Sequence, residues 1–112
     1  MNTDTRTFEL RTYEAVPGKL DQLLTRFRDH AVGLFEKHGM TNLGFWVAAD
    51  DEGEPTETLV YLVAHDSREA ARKSWESFWA DPEWAAARAD GEQVTASATT
   101  KFLDPTEFSA LR

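Results

Sequence analysis

Between residues 7 and 14 apolar and polar side chains alternate, the mark of a strand with unlike faces. Phe8, Leu10 and Thr12 fall on one side, and Glu9, Arg11 and Tyr13 on the other. Pro17-Gly18 closes the strand in a turn. Leu20, Leu23, Leu24, Phe27, Ala31, Leu34 and Phe35 then recur at three- and four-residue spacings, which predicts an amphipathic helix over 19–38. Gly39 stands where such a helix needs a left-handed residue, and His38 just before it suits the negative helix end. Strands are expected at 42–49 and 57–65, joined as an antiparallel hairpin around the acidic stretch Asp50-Asp51-Glu52-Gly53-Glu54. A second helix begins after Asp66, read as its cap with Glu69 answering, and carries Ala71, Trp75, Phe78 and Trp79. Asp81-Pro82 starts a short third helix with Trp84, Ala85 and Arg88, since Asp caps well and Pro is tolerated at the first helical position. A last strand spans about 97–103 and stops at Asp104-Pro105.

The order βαββαβ predicts an α+β, ferredoxin-like fold: a four-stranded antiparallel sheet with helices on one face. The third strand is apolar on both sides, Leu59, Tyr61 and Val63 against Val60, Leu62 and Ala64. The second behaves alike, Leu43, Phe45 and Val47 against Gly44, Trp46 and Ala48. Strands apolar on both faces are covered on both. Helices supply one cover, and a second subunit packed sheet to sheet is the simplest source of the other. A homodimer is therefore the expected assembly.

Length sets the rest in proportion. One domain is expected over residues 1–112, with its core at about 7–103. A chain this long buries roughly two-thirds of its unfolded surface and needs no staple. It has no cysteine, hence no thiol nucleophile and no disulfide. The opening residues Met1-Asn2-Thr3-Asp4-Thr5-Arg6 carry no apolar signal region, and no stretch is long and apolar enough to span a bilayer, so a cytoplasmic location is expected. A net charge of −8 argues against nucleic acid, which needs a basic stripe.

Several of these segments together resemble the NIPSNAP domain family: Phe8-Glu9-Leu10-Arg11-Thr12-Tyr13, Pro17-Gly18-Lys19-Leu20, Phe27, Glu36-Lys37-His38-Gly39, Leu43-Gly44-Phe45-Trp46 and Asp81-Pro82-Glu83-Trp84. The resemblance runs over about 7–103. It implies a dimeric α+β barrel in which two ferredoxin-like sheets meet face to face. It implies no particular reaction. Relatives by fold include cofactor-free monooxygenases acting on quinone-like polyketides, haem-degrading enzymes, and small isomerases or cyclases, and fold does not fix function.

Candidate chemistry begins with the polar side of the first strand. Charges on a covered face cost several kcal/mol unless paired. Glu9 and Arg11 can thus form ion pairs that fix register, pairs across the dimer included. In the functional reading, Arg11 stabilises an anion or enolate and Tyr13 donates a proton. Trp75 and Trp79, four apart on one helix face, either pack the core or wall a flat ligand site, and Trp46 could join that wall. His30 flanks the apolar stripe and is the candidate base. It lies eight residues from His38, about 12 Å along a helix, so the two cannot share a metal. No metal or cofactor is expected. The chain has no Gly-x-Ser-x-Gly elbow, phosphate-cradling loop or dinucleotide fingerprint, which removes the common hydrolases and nucleotide-dependent enzymes.

Two functions of different class remain. One is a homodimer that binds a small hydrophobic or aromatic metabolite, with Trp46, Trp75 and Trp79 as ligand contacts. The other is a cofactor-independent monooxygenase, isomerase or cyclase acting on an aromatic or polyketide-like substrate through Arg11, Tyr13 and His30. Convergent polar groups in a pocket would favour the enzyme. Neither reading involves nucleic acid or a membrane.

Overall fold

In the computed structural model, which describes residues 6–89 and 93–112, the first element is the strand that the alternation predicts, Thr7–Ala15 (β1). The first five residues of the stretch read for a signal region lie outside the described set. A helical rod follows, built from α1 (Leu20–Arg26), a π-helical turn (Phe27–Ala31) and α2 (Val32–Lys37). The backbone stays right-handed through both joints, so the single predicted helix is one rod with a widened middle turn. Phe27 and Ala31 both remain buried across it. A spacing of four suits either kind of turn, so periodicity did not distinguish them.

The rod ends at Gly39, whose φ of +91° is the left-handed conformation expected there. Across it the Met40 N–H donates to the Phe35 carbonyl at 2.9 Å. The chain then enters β2 (Thr41–Ala49), returns as β3 (Pro55–His65), and continues through α3 (Arg68–Trp79), α4 (Pro82–Ala87) and β4 (Thr95–Leu103). The cap of α3 differs from the reading above. Ser67, extended at φ −164°, accepts from the Ala70 N–H at 3.0 Å and is the capping residue in place of Asp66. Glu69 then sits one position too early to close a capping box and pairs with Arg72 instead. Asp81 caps α4 as read, accepting from the Glu83 N–H at 2.8 Å with Pro82 behind it.

The sheet order is β2-β3-β1-β4, antiparallel throughout. This is the ferredoxin-like α+β arrangement. Register sets the chemistry: Arg11 lies opposite Tyr61, Tyr13 opposite Leu59, and Glu9 between Val63 and Phe102. These residues face the helices. Tyr61, with no exposed surface, is the hub of that layer. Phe35 and Phe45 stack on it at 5.7 and 5.2 Å, and Phe27 meets it edge-on.

The other sheet face carries Leu10, Leu62, Val60 and Trp46. The residues following β4 cover one corner of it, where Phe8, Leu62 and Leu103 share a depression with Pro105 and Leu111. Elsewhere the face is open. Trp46 is 53% exposed, and its indole lies over Gly44, so close that a Cβ there would run into the ring. The Cα radius of gyration is 15.1 Å, above the ~13 Å of a compact chain this long, and the thinnest dimension is 19 Å. The molecule is a two-layer slab with helices on one side only.

Candidate functional site

Alternation along β1 aims Glu9, Arg11 and Tyr13 at the helices, and Glu9 is buried there. They satisfy one another. The Arg11 guanidinium donates through Nη1 to Glu9 at 2.8 Å, through Nε to the Tyr61 hydroxyl at 2.8 Å, and through Nη2 to the Tyr13 hydroxyl at 2.9 Å. Its flat face rests 4.3 Å from the Trp75 ring, so the cation is held by acceptors in its plane and an indole beside it. Burial would lower the pKa of Arg11, but Tyr61, Tyr13 and Glu9 outweigh that and hold it above its ordinary value. The charge is permanent.

Glu9 is the anionic half. One carboxylate oxygen accepts from His65 Nε2 at 2.9 Å and from Trp75 Nε1 at 2.7 Å. The other accepts from Arg11 and from the Thr100 hydroxyl at 2.6 Å. Burial pushes its pKa up, but bonds from His65, Thr100, Trp75 and Arg11 prevail and bring it from 4.5 down to about 2. An ionised carboxylate only accepts, so His65 carries its proton on Nε2. Tyr61 is pushed well above the usual phenol range, first by burial and then by the neighbouring Tyr13, with Arg11 opposing. Tyr61 therefore stays protonated at neutral pH. Its oxygen accepts from Arg11, and it shares a hydrogen bond with the Tyr13 hydroxyl.

Beside this cluster opens a cavity of about 610 Å³. Tyr13 and Arg11 form part of its wall, with Leu23 and Phe27 from the helical rod, Trp79 from the end of α3 and Trp84 from α4. Arg26, Arg88 and Gln93 add polar groups, and Val94, Thr95 and Ala98 complete it from the β4 side. Trp79 stacks on Trp75 at 5.9 Å and is half exposed. Trp84 is buried, and its indole N–H has no hydrogen-bond partner among the described residues. An apolar cleft with a few placed donors is the usual form of a small-molecule site.

The sequence model of the NIPSNAP family matches residues 8–110. The chain belongs to the NIPSNAP family. Solved structures agree with this. A NIPSNAP family protein with unknown function from Agrobacterium tumefaciens is 21% identical and superposes with a TM-score of 0.84, over 99% of this chain and 97% of that one. An uncharacterised NIPSNAP domain protein from Burkholderia xenovorans is 25% identical, with a TM-score of 0.75 over 92% of this chain and 97% of that one. A proposed antibiotic biosynthesis monooxygenase from Chloroflexus aurantiacus shares the fold at 18% identity and a TM-score of 0.58, over 96% of this chain and all of that one. No curated protein matches significantly.

The residues singled out from sequence separate into groups in this NIPSNAP chain. Arg11, Tyr13 and Trp79 meet at the cavity. Trp75 is one layer behind, between Arg11 and Trp79, with its N–H committed to Glu9. His30 does not join them. It is exposed on the far side of the π turn, in a shallow depression with Asp21, Gln22, Thr25, Arg26 and Ala87. Helical spacing put His30 beside the stripe without saying which flank faced the sheet. Trp46 lies on the opposite face of the sheet, because it pairs with Val60, which points away from the helices. The Glu9–Arg11 pair lies within one strand, so it needs no partner subunit.

Sequence reasoning missed His65, Thr100 and Tyr61 as partners of the pair, and Trp84, Arg26 and Arg88 as cavity wall. One signal was readable for His65: it shares parity with Leu59, Tyr61 and Val63, the side turned to the helices. Among the described residues, no group of three or more His, Cys, Asp or Glu is placed to hold a metal ion, and no helix is long and apolar enough to cross a membrane.

Proposed function

We propose that this NIPSNAP domain works as a homodimer in which each subunit binds a small aromatic or hydrophobic metabolite in the cavity beside Arg11 and Tyr13. The observation that carries the reading is the wall itself. Trp79, Trp84, Phe27 and Tyr13 offer ring surface around about 610 Å³, the size range of drug-like ligand sites, and Trp79 is half exposed. The homodimer is supported by the uncovered sheet face, where Leu10, Val60 and Leu62 are only half-buried and Trp46 lies open. A second copy of that face offers the same apolar patch, which suits an isologous contact.

Saturable quenching of tryptophan fluorescence by aromatic metabolites tests the binding. Trp79→Phe is expected to weaken it while the wild-type assembly persists. Quenching unchanged in Trp79→Phe would move the ligand elsewhere. Light scattering tests the dimer, and a stable monomer at micromolar concentration would refute it.

The second reading is a cofactor-independent monooxygenase, isomerase or cyclase on an aromatic or polyketide-like substrate. Arg11 and Tyr13 favour it, because a phenol polarised by a fixed guanidinium can hold a developing oxyanion. It stands second because the described wall holds no carboxylate or imidazole to take a proton. Turnover of a quenching ligand, followed by loss of its absorbance, would reverse the order.

A further inference from the structure

The two phenols of the buried cluster meet Arg11 in a defined way. Nε and Nη2 lie on the same side of a guanidinium, and here they donate to Tyr61 and Tyr13 at 2.8 and 2.9 Å. The phenol oxygens thus stand where a carboxylate places its two oxygens in a side-on fork, and they share a hydrogen bond of their own. One proton lies between them, and burial decides whose it is. Tyr61 has no exposed surface and Arg11 only donates, so the Tyr13 oxygen is the acceptor that meets the Tyr61 O–H. Were the bond reversed, the Tyr61 proton would be stranded in the core, where an unmet donor is costly.

Tyr13 stands differently, because it forms part of the cavity wall. Its oxygen takes one bond from Arg11 and one from Tyr61, which fills both lone pairs and turns its own O–H away from the cluster. Arg11 lines the same wall and has no acceptor to offer. Glu9 balances the charge of Arg11, so this corner calls for an acceptor rather than an anion. We infer that the ligand is an aromatic carbonyl compound, its oxygen accepting from the Tyr13 hydroxyl and its ring lying against Trp79. A ligand hydroxyl in that place would bring a proton that neither Tyr13 nor Arg11 can take, and a carbonyl brings none. This rests on the binding reading above and narrows it to a ligand class.

Two probes of one shape, 2-acetylnaphthalene and 2-isopropylnaphthalene, test it when titrated into the intact chain by tryptophan quenching. The ketone, isotope-labelled at its carbonyl carbon, is then followed in the complex by difference infrared spectroscopy. Its C=O stretch is expected below the position found in an aprotic solvent, since accepting a hydrogen bond weakens C=O. Tyr13→Phe should return the stretch to the aprotic position and weaken the ketone about three- to tenfold, the worth of one hydrogen bond. The hydrocarbon should bind that variant as it binds the wild type. An unshifted stretch in the wild type, or saturable quenching by the hydrocarbon alone, overturns the inference without recourse to the variant, while the aromatic-ligand reading stands. A shift that persists in Tyr13→Phe also overturns it, as does an equal loss for both probes, which would mark Tyr13 as a support of the wall only. If neither probe quenches saturably, the binding reading falls and this inference with it.

Discussion

Glu9→Gln is the substitution that bears hardest on the buried cluster. The side chain keeps its shape and loses its charge, and the trouble is one of donors. All four groups around the carboxylate, His65, Trp75, Arg11 and Thr100, donate to it. An amide turns one of its two ends into a donor, which then faces donors; only the Thr100 hydroxyl, by turning round, or His65, by moving its proton to Nδ1, can accept. Arg11 is left in place with its anion gone. The magnitude can be reached in two ways. The fall of the Glu9 pKa from 4.5 to about 2 corresponds to about 3 kcal/mol, at ~1.4 kcal/mol per pH unit. Removing one partner of a buried ion pair costs about 3–5 kcal/mol. A loss near 3 kcal/mol is therefore expected, or a drop in Tm on the order of 10–20 °C.

Urea melts of wild type and variant at pH 7, and again stepwise from pH 5 to pH 2, measure it. The folded pKa lies below the unfolded one, so the contribution is complete above about pH 4.5 and fades as pH falls towards 2. The gap between the two proteins should close over that window. A variant within ~0.5 kcal/mol of wild type at pH 7, or a gap that stays constant down to pH 2, would refute the reasoning.

Other outcomes follow from neighbouring parts of the fold. Trp75→Phe removes a 2.7 Å bond to Glu9 and should cost about 1–3 kcal/mol, while the half-exposed Trp79→Phe should leave the melt nearly unchanged; calorimetry distinguishes them. Asp81 binds Lys37 at 2.8 Å and His38 at 2.6 Å, and these hold its carboxyl well below the usual range. Asp81→Ala should therefore lower Tm at pH 7, with the deficit shrinking on acidification as wild-type Asp81 is itself protonated. Gly44→Ala should lift the Trp46 indole off the sheet, seen as a shifted emission maximum and a weaker dimer in light scattering.

Much of the fold was legible because its signals are local. Alternation in β1, four-residue spacing in the rod, Gly39 and Asp81-Pro82 each declare an element without reference to the rest of the chain. The Asp66 cap was misread because Asp66 and Ser67 are both capping residues, and the backbone selects between them. The site was less legible because its contacts depend on register. Glu9 meets Thr100, ninety-one positions away, only because β1 and β4 pair Arg11 with Thr100, and no pattern around either residue announces the partner. Helices posed a finer difficulty: His30 and Phe27 are three apart, one exposed and one in the wall.

The π turn at Phe27–Ala31 has a consequence for how this chain tolerates changes of length. A π turn holds more residues than an α turn of the same rise, so one residue can be removed there without breaking the rod. Such a deletion would turn the segment into plain α-helix, with α2 still seated through Leu34 and Phe35 and α1 still facing the sheet through Leu23. The same deletion inside the α-helical turns of α2 would instead swing α1 by roughly 100° about the axis and take Leu23 and Arg26 out of the cavity wall together. Relatives one residue shorter at the π turn would thus keep the wall, and those shortened elsewhere in the rod would lose it.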